Sequence, residues 1–173
     1  MIVQWVGPLP SWIDAWLANT QRVTDAGYGW EFLLDHDAYS ILRRITDLGV
    51  ECPPLAGRKV CDYRPALGEM YAEEVAGFDF WGHTDLDCVY GELWKYASDS
   101  LLSECDVFSN DPYPNVCGPF SLWRNTESVN GLFRNAPDWK AIFEDPKNRL
   151  PVDAANRTAA PIRLRRFSPA DMT

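Results

Sequence analysis

Along the first part of the chain, short apolar runs alternate with stretches whose apolar residues recur at helical spacing. Ile2 to Val6 reads as a buried strand that stops at Gly7-Pro8-Leu9-Pro10. Ser11 then offers an N-cap for a helix carrying Trp12, Ile13, Trp16 and Leu17. Gly27 to Gly29 is a break, and Trp30 to Leu34 reads as a second strand that ends abruptly at Asp35-His36-Asp37. Ser40 to Leu48 predicts a helix with Ile41, Leu42, Ile45 and Leu48 on one face and Gly49 as its stop.

Cys52-Pro53-Pro54 to Arg58 reads as a rigid loop. Asp62 to Val75 suits a helix that tolerates Pro65 in its first turn and closes at Gly77. Phe78 to His83 is a third strand, and it delivers Asp85-Leu86-Asp87. Further on, Glu92 to Ala97 and Leu101 to Cys105 are short helical pieces, and turn residues fill Ser109 to Asn115. Cys117 to Trp123 is another strand, Thr126 to Arg134 a helix, and Trp139 to Phe143 a helical turn. From Asp145 the chain is polar, Pro-containing and loop-rich. Strand, polar loop and helix in alternation are the grammar of an open α/β sheet. The expected fold is therefore α/β, a mixed sheet flanked by helices, in one domain spanning residues 1–173. Ligands of such sheets bind beyond the carboxyl ends of the strands. That puts the Gly7-Pro8 loop, Asp35 and Asp85 at one rim.

Composition narrows the picture. At 173 residues with 46% hydrophobic and 24% charged residues, the chain has the make-up of a soluble globular domain. Its eight Trp either fill core or line a carbohydrate or nucleotide site. A net charge of −9 argues against a broad nucleic-acid surface. The one basic cluster, Arg163, Arg165 and Arg166, is either a solvated tail or a clamp on an anionic ligand. Cys52, Cys61, Cys88, Cys105 and Cys117 are odd in number and form no CxxC pair, which fits free thiols in a reducing compartment. The first strand lacks a basic leader, and no apolar run approaches the ~20 residues of a membrane span. A cytoplasmic protein is expected.

Candidate chemistry centres on Asp85-Leu86-Asp87. Two carboxylates one residue apart at a strand end can aim at one hard cation, Mn²⁺ or Mg²⁺. A diphosphate bridged by that cation becomes a better leaving group, because the charge developing on its oxygens is neutralised. Asp-x-Asp also suits a plain turn.

The context of the triplet is more specific. Lys59-Val60-Cys61-Asp62-Tyr63-Arg64-Pro65-Ala66-Leu67-Gly68 precedes Gly77-Phe78-Asp79-Phe80-Trp81-Gly82-His83-Thr84-Asp85-Leu86-Asp87 and Gly91. Together they resemble a family of bacterial and viral glycosyltransferase-like proteins with the pattern K-x-C-D-[FY]-[KR]-P-x-x-G followed by a YDFWG-x-x-DLD strand. Gly7 to Trp12, Trp30 to Asp35 and Gly118 to Asn125 are similar to further segments of that family, so the likeness spans about residues 2 to 150.

The resemblance implies the GT-A class, with a Rossmann-like half over about residues 1–125 that binds a nucleoside diphosphate sugar. Residues 126–173 would then form a short acceptor part. Asp85 and Asp87 would touch the metal or the ribose, Gly7 and Pro8 would admit the nucleotide to the backbone, and Asp35 would lie near the base or ribose. Lys59 and Arg64 would offer cations to the phosphates or sugar, with Asp62 orienting one of them. The residues themselves leave other roles open: a surface salt bridge of Lys59 or Arg64 with Asp62 or Glu69, and Asp62 as the N-cap of its helix. Asp153 stands where the family has the Asp of an Asp-Glu pair and is the candidate to face a glycan or other hydroxyl acceptor, whereas Ala154 replaces the Glu. Two rival readings are a haloacid-dehalogenase-like phosphatase, with Asp85 as nucleophile, and a non-catalytic sugar-nucleotide-binding protein or subunit.

Overall fold

A computed structural model describes residues 1–55, 57–109 and 119–147, together with the backbone of residues 164–166. In chain order the elements are β1 (Ile2–Gln4), α1 (Ile13–Asp25), β2 (Leu33–Asp35), α2 (Ala38–Asp47) and a 3₁₀ helix over Gly57–Ala66. Then come α3 (Leu67–Met70), β3 (Phe80–Thr84), α4 (Leu93–Tyr96), α5 (Asp99–Ser103), β4 (Val107–Ser109) and β5 (Phe120–Arg124). The last are α6 (Glu127–Asn130), a second 3₁₀ turn (Leu132–Asn135), α7 (Trp139–Glu144) and β6 (Leu164–Arg166).

The strands form a mixed sheet in the order β2-β1-β3-β5-β4-β6. β1 is parallel to β2 and β3, β5 is antiparallel to β3 and β4, and β6 is parallel to β4. Gln4, Asp35, Thr84 and Ser109 therefore end their strands at one rim, where β5 arrives by its amino end, Phe120 pairing with Thr84.

Period-2 alternation assigns the two faces. Trp81 and His83 on β3, with Trp123 and Ser121 on β5, share the face covered by α2, both 3₁₀ segments and α7. There Trp81 and Trp123, paired in register, stack with ring centroids 5.3 Å apart. Along this face the strands change from apolar to polar toward the rim: Trp81 and Trp123 lie below, His83 and Ser121 above. α1 covers the other face through Trp16 and Val23, and Ala97 with Leu101 and Leu102 closes its far side.

The α/β mixed sheet with flanking helices agrees with the hydrophobic pattern, but several details differ. α1 runs on to Asp25 and buries Trp16, Thr20 and Val23, whereas Trp12 and Leu17 are exposed. Ser11 does not cap it; Trp12 occupies the N-cap without a side-chain bond. α2 starts earlier, with Asp37 accepting from the Tyr39 amide at 2.9 Å, and Leu42 faces solvent.

The helix expected over Asp62 to Val75 is instead a 3₁₀ segment, the single turn α3, and turns up to Gly77. Pro65 falls near the end of the 3₁₀ segment, where its missing N–H and its ring oppose a continuous α-helix. The tail also differs from a loop, since Arg165 and Arg166 lie in β6, in register with Phe108 and Ser109. Arg163 lies outside the described residues. Among the described residues no helix is long and apolar enough to cross a membrane.

Candidate functional site

The Asp85-Leu86-Asp87 triplet leaves β3 as a turn. The Asp85 amide donates to the Pro119 carbonyl at 2.9 Å, and the Cys88 amide closes back onto the Asp85 carbonyl at 3.2 Å. Leu86 is buried with Val3, Trp16 and Tyr90, so the turn is pinned by its middle residue. Asp87 is exposed, and the Asp85 side chain is 37% exposed.

The exit is held by residues that sequence reasoning missed. Asn19 of α1 donates to the Tyr90 carbonyl at 3.0 Å and accepts from its amide at 2.7 Å. Arg22 donates to the same carbonyl at 2.6 Å, and the Tyr90 hydroxyl bonds Thr84 Oγ1 at 2.7 Å. Asn19 and Arg22 sit one turn apart on a helix, a spacing that could have drawn attention to that face.

Arg64, near the end of the first 3₁₀ segment, donates to Asp85 Oδ1. Its side chain is 16% exposed. Glu69, an alternative partner on sequence grounds, pairs with Arg134 instead. His83 lies two residues before Asp85 on the same strand face, 1% exposed, with neither ring nitrogen hydrogen-bonded among the described residues. Burial first, and the Arg64 charge second, hold its pKa well below the usual imidazole value, so the ring is neutral.

Lys59 and Asp62 are buried and paired with each other. Lys59 Nζ donates to Asp62 Oδ2 at 2.9 Å and to the Ile142 carbonyl at 2.7 Å. A 3₁₀ helix has about three residues per turn, so positions i and i+3 eclipse and the two side chains meet. The expected pairing is present, but it is buried rather than on the surface. Lys59 is thus engaged within the protein, Asp62 lies inside the 3₁₀ segment rather than at an N-cap, and the pair ties that segment to α7.

Asp35 does reach the rim, yet its carboxylate is turned inward. Oδ2 accepts from the Tyr71 hydroxyl at 2.7 Å and from Ser40 Oγ at 3.2 Å, and Oδ1 accepts from the Asp37 amide at 3.1 Å. The side chain is 9% exposed. Gln4 donates to the Tyr71 hydroxyl at 3.1 Å, and the Arg44 guanidinium lies 4.2 Å above the Tyr71 ring. Burial, followed by the bond to Asp35, pushes the Tyr71 pKa up. These contacts make Asp35 an anchor between β2, α2 and the segment after α3.

Gly7 and Pro8 follow β1, the strand next to β3, at the same rim. Gly7 has φ +119°, a conformation that resists any side chain, and open space lies where a Cβ would project. The Trp5 indole N–H closes the loop onto the Pro8 carbonyl at 3.0 Å. The structure therefore gathers Arg64, Asp85 and Asp87 at one corner, with Gly7-Pro8 along the same edge. Asp153 lies outside the described residues.

A divalent cation suits the donor set. Asp85 and Asp87 carry oxygen atoms of the hard type, and Mg²⁺ is commonly held by one or two carboxylates together with substrate phosphates. Among the described residues no group of three or more His, Cys, Asp or Glu side chains is placed to hold a metal by itself. At the opposite end of the sheet a cleft of about 760 Å³ opens between Tyr28, Trp30, Phe78, Phe80 and Leu102, remote from the Asp85 turn.

The chain belongs to a family of unknown function, DUF6625, whose model matches residues 1–151 and so spans every described residue of this corner. No curated protein and no solved structure matches it.

Proposed function

We propose that this member of a family of unknown function is a metal-dependent glycosyltransferase with a GT-A-like fold that takes a nucleoside diphosphate sugar as donor. The observation that carries the reading is the Asp85–Cys88 turn. Two carboxylates follow the carboxyl end of a central strand, Asp85 bonded to Arg64, on the same rim as the Gly7-Pro8 loop. When bound, Mn²⁺ or Mg²⁺ would neutralise the charge that develops on the departing diphosphate.

Each protein group then has a defined task. Asp85 and Asp87 hold the cation, and the buried Leu86 keeps them in place. Gly7 lets the backbone approach the nucleotide without a side chain in the way. Asp35 keeps the rim in shape through Tyr71 and Ser40. Asp153 is the proposed carboxylate facing the acceptor hydroxyl. Incubating the full chain with UDP- and GDP-sugars and Mn²⁺, and following the anomeric proton by NMR, tests the reading. Release or transfer of the sugar supports it; binding without turnover favours a sugar-nucleotide-binding protein. Phosphate release from a phosphomonoester, with the nucleotide sugars untouched, favours the phosphatase.

A further inference from the structure

We infer that Arg64 is an exchangeable counter-ion, which neutralises Asp85 before a donor binds and passes to the donor's diphosphate when a divalent cation takes Asp85. The inference rests on the proposed function and adds a two-position role for one residue.

The contrast with Lys59 and Asp62 carries the argument. That pair is sealed from solvent and further tied by the Ile142 carbonyl, so it is permanent. The Arg64–Asp85 pair sits at the rim, and its carboxylate remains partly exposed. Among the described residues Asp85 is the carboxylate that meets Arg64, so a cation arriving on Asp85 frees the guanidinium. Two carboxylates and a diphosphate carry more negative charge than a divalent cation cancels. A planar guanidinium with forked donors is suited to the phosphate oxygens that remain.

His83 is a second, independent sign that this corner has another arrangement. Its ring, on the residue two before Asp85, is buried and has neither nitrogen bonded among the described residues. Buried polar groups are normally hydrogen-bonded, so this ring calls for a partner beyond the described side chains.

The test separates two affinities that a static structural role would move together. Mn²⁺ binding without nucleotide and UDP binding at saturating Mn²⁺ are measured for the full chain, Arg64→Ala, Arg64→Gln and Arg64→Lys. Circular dichroism selects the variants that fold. Removing the guanidinium takes away a competitor for Asp85 and is expected to tighten Mn²⁺ by up to about 5-fold, the worth of a half-exposed ion pair. The same change is expected to weaken UDP by about 10-fold or more, as loss of a hydrogen bond to a charged group does. Arg64→Lys should fall between. Weaker or unchanged Mn²⁺ binding in the neutral variants would mean that Arg64 only holds Asp85 in place, and the inference fails while the metal site stands. If the wild-type chain binds neither Mn²⁺ nor UDP, the proposed function fails and takes the inference with it.

Discussion

Lys59 Nζ stands 2.9 Å from Asp62 Oδ2, and the two side chains are only 1% and 0% exposed. Most lysines in a sequence read as surface residues. Here the eclipsed geometry of a 3₁₀ turn hides both charges, and the Lys59 ammonium also lies 5.4 Å from the centre of the Tyr63 ring. Through the Ile142 carbonyl the pair fastens to α7 the same 3₁₀ segment that carries Arg64.

Breaking this pair by one partner strands a buried charge. Lys59→Met and Asp62→Asn are each expected to cost about 3–5 kcal/mol in urea unfolding. A loss below about 1 kcal/mol would show that the pair does not carry the segment.

Two glycines of the central motif block, Gly68 and Gly82, have a packing reason. A Cβ on Gly68 would strike the Trp81 indole and come within 2.6 Å of Asn130 Oδ1, and one on Gly82 would strike the Ser121 carbonyl. Gly68→Ala and Gly82→Ala are expected to destabilise by about 1–3 kcal/mol, the range for overpacked sites. The Gly82 change should be the larger, because a backbone atom yields less than a side chain. Equal or negligible losses in denaturant titration would contradict this.

His83 predicts a pH dependence. Its folded pKa lies well below the model-compound value of 6.5, so the unfolded chain takes up that proton first as pH falls. Stability from this residue is complete above the unfolded value and is lost as pH drops below it, at up to about 1.4 kcal/mol per pH unit. In chelator, wild-type unfolding free energy should fall more steeply from pH 7 to pH 5 than that of His83→Gln. Identical slopes would show that His83 is not held neutral.

How much of this was legible follows from where each signal sits. Strand ends were readable because an apolar run meets Gly7-Pro8, Asp35 or Asp85 within the sequence itself. Their common rim followed from the α/β alternation and is observed. The 3₁₀ segment was not readable, since Leu67, Met70 and Tyr71 have helical spacing even though Pro65 breaks the helix. The inward bonds of Asp35 were not readable, because its hydrogen-bond donor Tyr71 is 36 positions away. Arg64 and Asp85 are 21 positions apart and meet only because the 3₁₀ segment folds over β3. Such contacts leave no local trace.

The central claim is that Asp85 and Asp87 hold a divalent cation on a nucleoside diphosphate sugar. Calorimetry with UDP- and GDP-sugars, in Mn²⁺, in Mg²⁺ and in chelator, tests it most directly when wild type is compared with Asp87→Ala. The expected result is donor binding that needs the metal and weakens by at least about tenfold in Asp87→Ala, the lower bound for losing even an outer-sphere partner of a metal. Equal affinity in chelator, or an Asp87→Ala variant that binds like wild type, would contradict the account.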